Sequence, residues 1–179
     1  MRRGIAVAIA LALAMTFTGW GTDQAQAKKR PNMIEFETMV GLPKAYTGTA
    51  NPIQGVNGGG LPWIIDSAKG VIGAKGDVRV EVEGLVFDPS DADVVARGLA
   101  NSNTVAAFMV VVSCRSVDAD GNATTVVVST DPAPATVGLA SDGGGNAEIR
   151  GQIELPKPCI APIVFVTSPT GAWFASTGA

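Results

Sequence analysis

The chain has 179 residues, of which 46% are hydrophobic and 16% charged, with 22 Gly, 11 Pro and no His. The missing His excludes Ser-His-Asp and Cys-His nucleophiles, imidazole proton transfer near neutral pH and imidazole metal ligands. A net charge of -3, with no basic cluster beside a groove-reading motif, gives a nucleic-acid partner no electrostatic support.

Arg2 and Arg3, the uncharged apolar run 5–15 and the triplet Ala25-Gln26-Ala27 follow one another in the order of a secretory signal peptide, predicted over 1–27. The run is shorter than the ~20 residues that cross a bilayer, and no later run reaches that length, so no transmembrane segment is expected. No Cys stands just after the run to carry a lipid. The cleaved protein is expected in the cell envelope or outside the cell. Lys28, Lys29 and Arg30 precede Pro31, and 28–33 are predicted to be a flexible basic end. The remaining stretch, 34–179, is long enough to bury a real core as a single domain.

Along that stretch period-two patterns dominate, beginning with a predicted strand over 36–42. The Gly-rich run 55–60 (GVNGGG) reads as a turn, and 61–66 as the next strand. The clearest alternation is 77–88, where Val78, Val80 and Val82 interleave with Arg79, Glu81 and Glu83. Between Asp88 and Asn103 the pattern changes. Ser90, with Asp93 three residues on, could cap one or two helical turns ending at Gly98. Segment 105–114 is apolar at both parities, which suits a central strand whose second face is covered by loops or ends. Asp118 to Asn122 reads as a hairpin connection, making the runs on either side antiparallel neighbours. Strands are further predicted over 124–130, 147–155, 163–166 and 171–177. In 147–155, Ala147, Ile149, Ile153 and Leu155 face one way, with Glu148, Arg150, Gln152 and Glu154 facing the other.

Short strands, Gly and Pro turns and no long amphipathic helix predict an all-β antiparallel sandwich of about 7–9 strands, with a small barrel as the alternative. In strand number and length the pattern resembles immunoglobulin-like sandwiches, in architecture only. Trp63 and Trp173 both lie outside the interval between Cys114 and Cys159, so the Cys-Trp-Cys order of immunoglobulin domains is absent. In an exported chain Cys114 and Cys159 read as one disulfide closing a loop of about 45 residues. Neither has a CxxC partner or a neighbouring base.

Several constellations could carry chemistry. Glu81 and Glu83 share a strand face, and Glu148 and Glu154 share another. Such acids could form the carboxylate pair of a glycosidase-like hydrolase, or they could be a solvated sheet face. Asp118, Asp120 and Asn122 have the alternate spacing of calcium ligands, and Asp88, Asp91 and Asp93 are a second oxygen-rich cluster. Turn and capping roles explain both sets as well. The glycines of 55–60 and 143–145 are not followed by the Lys-Ser or Lys-Thr of a phosphate loop. Trp63, Trp173 and Phe174 are either core or a partner surface for a protein or glycan. In a strand, Trp173 and Phe174 face opposite sides, which would leave one of them outside. Asn122-Ala123-Thr124 is a formal glycosylation sequon. No catalytic residue, cofactor site or metal site is fixed by these patterns. The function expected is that of an exported binding or structural module. The alternatives are a carboxylate-dependent hydrolase using Glu81, Glu83 or the Asp88 to Asp93 acids, and a calcium-stabilised extracellular domain.

Overall fold

The computed structural model describes residues 32–178, so the predicted signal peptide and the Lys28-Lys29-Arg30 triplet lie outside the described residues. The principal strands are β1 (Asn32–Phe36), β2 (Ser67–Gly73), β3 (Asp77–Glu83), β4 (Ala107–Val117), β5 (Ala123–Ser129), β6 (Ala147–Gln152), β7 (Ile160–Thr167) and β8 (Trp173–Ser176). A short α-helix, α1 (Ala92–Ala96), follows Asp91. The predicted flexible end is corrected at its inner boundary, because Asn32 and Met33 belong to β1 and Asn32 pairs with Gly73.

A four-stranded sheet runs β1-β2-β3-β6, and all its neighbours are antiparallel. A six-stranded sheet runs from β4 through β7 and β8 to the short strand Val40–Gly41, again antiparallel. Both β5 and the pair Ala133–Pro134 lie on the remaining side of β4. The two sheets pack on a shared hydrophobic cluster. Ile72, Val80, Val82 and Ile149 come from the first sheet, and Val110, Val112, Val164 and Val166 from the second. Each such side chain contributes up to about 1.5–3 kcal/mol by leaving water. The sheets are open, and no closed barrel is found among the described residues, which removes the barrel alternative. Along one side they are stitched together, since Ala133–Pro134 pairs with β4 and the next residue, Ala135, bridges to Ala147 at the start of β6.

The alternation read in 77–88 holds through Glu83, with Val78, Val80 and Val82 buried and the residues between them exposed. It then breaks at Gly84, whose φ of 62° lies in the left-handed region. The chain turns there, and Val86–Phe87 pairs with Trp63–Ile64 instead of continuing β3. The predicted strand 36–42 is likewise two. β1 ends at Phe36 in the first sheet, and Val40–Gly41 pairs with β8 in the second. The helix is real but starts one residue later than the Ser90 cap predicts. Asp91 is the N-cap, and its Oδ1 accepts from the N–H groups of Asp93 at 3.0 Å and Val94 at 3.1 Å.

β4 explains why its sequence is apolar at both parities. Its even positions, Val110, Val112 and Cys114, face the opposing sheet, while Met109, Val111 and Ser113 face outward and are nevertheless buried. The cover is the Gly-rich loop. Ser113 Oγ donates to the Gln54 carbonyl at 2.9 Å, Trp173 N donates to the Asn57 carbonyl at 2.9 Å, and Gly59 N donates to the Trp173 carbonyl at 2.9 Å. The segment also runs beside β8, where Gly58 bridges to Trp173, and on the core side a Cβ on Gly59 would come within 2.9 Å of the Phe174 ring.

Candidate functional site

The aromatic residues offered as a partner surface are inside the protein. Trp63, Trp173 and Phe174 are 3%, 0% and 5% exposed, so the expectation of an exposed platform is corrected. Trp173 and Phe174 do point to opposite faces of β8, as strand geometry demands. Phe174 stacks on Trp63 with centroids 4.2 Å apart in the inter-sheet core. Trp173 points outward but lies under the Gly-rich loop, beside Phe165 at 5.8 Å and Tyr46 at 6.4 Å. The sequence reading expects loops over the second face of 105–114; what it misses is that the segment around the Gly-rich run 55–60 is that cover and that Trp173 lies beneath it. The signal for it was the pairing of small residues in 55–60 with an adjoining strand that is apolar on both faces.

The carboxylates of β3 lie on the solvent face of the first sheet, each with a structural partner. Glu81 accepts from Lys69 Nζ at 2.9 Å, and this hydrogen bond holds the ammonium pKa above its ordinary value. Glu83 accepts from Ser67 Oγ at 2.9 Å. Glu148 stands directly across from Glu81 and contacts the Arg150 guanidinium. With Pro134, Thr136 and Asn146 these acids border a shallow depression of about 360 Å³. This arrangement is a charge-paired sheet face, in which exposed pairs contribute ~1 kcal/mol or less. Glu154 is carried away from them, into the wall of a separate cleft.

The oxygen-rich clusters are also engaged. Asp118 Oδ1 accepts from the N–H groups of Asp120 at 3.0 Å and Asn122 at 2.8 Å, and its Oδ2 accepts from Asn122 Nδ2 at 3.3 Å. The Asn122 N–H is the main reason that the Asp118 carboxyl titrates below its ordinary value. These bonds close the hairpin between β4 and β5. The sequon residue Asn122 is exposed at its end. Asp88 Oδ1 accepts from Ser90 N at 2.8 Å and Ser90 Oγ at 2.7 Å, forming a turn. Lys44 Nζ sits between Asp91 Oδ2 at 2.7 Å and Asp93 Oδ2 at 3.0 Å, so an ammonium occupies the place a cation would take. That hydrogen bond lowers the pKa of Asp91 and raises that of Lys44. Among the described residues no group of three or more acids or cysteines is arranged to hold a metal ion.

The disulfide joins Cys114 of β4 to Cys159, immediately before β7, with Cα atoms 5.0 Å apart. β4 and β7 are neighbours in one sheet, so the bridge lies within a sheet and not between two, unlike that of antibody domains. It fixes one end of segment 152–159. This segment and the inner side of β5 wall a cleft of about 1190 Å³. Its lining is mostly apolar, with Val126 and Val128 on one side, Ile153, Leu155 and Pro156 on the other, and Met33 at one end.

Beside that cleft runs an unpaired strand edge. β5 pairs only with β4 among the described residues. Asp118 donates its N–H to the Asn122 carbonyl, and Thr130 donates its N–H to the Val110 carbonyl, both at 2.9 Å. These two contacts fix the even-numbered residues of β5 as the ones hydrogen-bonded to β4. In an antiparallel ladder the alternate residues point their N–H and C=O the other way. Ala123, Thr125, Val127 and Ser129 therefore present their backbone groups along the free edge. The strand, ATTVVVS, contains no charge and no Pro, the two devices that usually blunt such an edge. Val127 is 47% exposed and Val117, at the neighbouring end of β4, is 48% exposed. No helix of the described residues is long and apolar enough to cross a membrane. Compared with known proteins, the chain matches no family model, no curated protein and no solved structure.

Proposed function

We propose that this is an exported, non-catalytic binding module that captures an extended, uncharged segment of a protein partner by adding it as a strand to the free edge of β5. The observation that carries this reading is the unpaired edge of Ala123, Thr125, Val127 and Ser129 lying beside the apolar cleft. In strand addition the main chain supplies affinity, and alternate side chains enter pockets that supply specificity. A strand added to β5 would point every second side chain toward Val126, Val128 and Leu155. Export is supported by the disulfide, which persists in oxidising compartments, and by the signal-like N-terminus. A glycan partner loses its main support, since the aromatic residues that would stack on a sugar are buried. A carboxylate-dependent hydrolase is less well supported, because Glu81 and Glu83 sit in hydrogen bonds on an open sheet face.

The test is amide chemical-shift mapping of the cleaved, disulfide-intact protein against short uncharged peptides of alternating Val and Thr, and in parallel against chitooligosaccharides and peptidoglycan fragments. Shifts from the peptides, centred on the amides of Ala123, Thr125, Val127 and Ser129, are expected. Shifts produced only by the sugars, or only on the Glu81 face, would overturn the reading.

A further inference from the structure

We infer that one occupant of the β5 edge is a second copy of this chain, giving a two-fold dimer in which the two β5 strands pair antiparallel; the inference rests on the strand-addition reading above. The strand is complementary to itself. In the register that places Val126 opposite Val126 of the second copy, Thr125 meets Val127 of that copy and Ala123 meets Ser129. All the outward N–H and C=O groups of both edges are then satisfied at once. Val126, the centre of this arrangement, becomes a non-hydrogen-bonded cross-strand pair, in which side chains approach most closely. The side chains on one face of the seam belong to Thr124, Val126 and Val128, and the two valines line the apolar cleft. Those on the other face include the exposed Val127, packed beside Thr125 of the second copy.

Charge sets the stop at both ends and not in the middle. No residue of β5 is charged, so no like pair meets along the seam. Just beyond it stand Asp118 and Asp120 at one end and Asp131 at the other. In the two-fold register Asp131 lies across from Gly121 of the second copy, next to that copy's Asp120. These acids limit the seam to the length of β5 and disfavour sliding. They also give the dimer a salt dependence of definite sign: screening the rim repulsion strengthens association. A single strand seam lies at the small end of specific interfaces, so a weak, concentration-dependent dimer is expected.

The test is sedimentation equilibrium of the cleaved, oxidised protein from about 1 μM to about 1 mM, repeated at about 50 mM and 500 mM NaCl, with amide exchange measured alongside. A monomer–dimer equilibrium is expected, several-fold tighter at the higher salt, with concentration-dependent protection confined to the amides of Ala123, Thr125, Val127 and Ser129. Val127→Pro removes an N–H that the fold does not use, so it should stay folded and weaken the dimer at least tenfold. Val127→Lys tests the same point without a backbone change, because it puts a charge on the seam beside Arg115 of the second copy. A dimer that survives in folded Val127→Pro or Val127→Lys assembles elsewhere and overturns the inference. A chain that stays monomeric to 1 mM also overturns it. In that case, peptide-induced shifts on the β5 amides leave the strand-addition reading standing, and their absence removes both.

Discussion

At the scale of single residues, the acids that look most like ligands in the sequence are the ones the fold uses to close its own backbone. Asp91 caps α1 with one oxygen and holds Lys44 with the other. Because its folded pKa lies below the ordinary 3.8, its charge contributes stability above that value, and the contribution is lost as pH falls through 3.8 and the lowered folded pKa. Asp91→Asn keeps a good capping oxygen but removes the charge. The variant should unfold at lower urea than the parent at pH 7, and the two midpoints should converge as the pH reaches about 2. Midpoints that stay apart at acid pH would show that the carboxylate acts through packing and not through charge. Trp173 offers a different test, since its buried Nε1 has no hydrogen-bond acceptor among the described residues. A buried orphan donor costs ~1–3 kcal/mol, so Trp173→Phe loses ring volume but sheds that penalty. Its net cost should be about 1–2 kcal/mol, whereas Trp173→Ala should cost about 3–5 kcal/mol. Equal losses for the two variants in chemical denaturation would mean that the indole N–H is satisfied in solution.

At the scale of elements, the sequence shows a strand clearly where alternation is undisturbed and hides it where glycine takes a core-facing place. β3 and β6 were legible because Val78, Val80, Val82, Ile149 and Ile153 all obey period two. The β4–β5 hairpin was legible from Asp118 to Asn122. β2 (Ser67–Gly73) is not, because Gly70 and Gly73 interrupt its sequence, SAKGVIG, and leave no alternation to read. In the fold Gly70 is a strand residue paired with Phe36, whose ring lies over it so closely that a Cβ would come within 2.6 Å. The aromatic ring supplies the packing the glycine lacks, a long-range fact that no local pattern carries. Gly145 marks another such approach. Its φ is 82°, and a Cβ there would run into the backbone of Leu85, whose N–H it accepts at 3.3 Å. Gly145→Ala is therefore expected to cost ~3 kcal/mol in urea unfolding, through both the strained conformation and the overlap. Gly171→Ala, at φ 89° with open space around it, should cost only ~1 kcal/mol. A ranking in the opposite order would show that this part of the backbone yields more easily than its contacts indicate.

At the scale of the whole molecule, the sequence shows that both faces of β4 are covered but conceals which segments cover them. The pairing of Cys114 with Cys159 could be read from the count, but its place inside one sheet could not. That place gives it a particular job. It ties the central strand β4 to the end of segment 152–159, which forms one wall of the cleft beside the β5 edge. Closing a loop of 45 residues contributes about 4 kcal/mol in the chain-entropy account. For a chain of this size that is a fall in Tm of roughly 10 °C on reduction. The entropy argument alone predicts a global loss with no preferred location. The position of the bridge adds a local effect: once reduced, segment 152–159 loses its anchor to β4, while β3 and β6 keep their full ladder. Hydrogen exchange of the Cys114→Ala/Cys159→Ala protein at a temperature well below its Tm should then show faster exchange in 152–159 and near-parental protection in β3. Unchanged Tm on reduction would mean that the bridge is not formed in solution. Acceleration spread evenly over both sheets would mean that it acts only on the unfolded chain and that the cleft wall is held by its own packing, through Ile153 and Leu155, without the covalent tie.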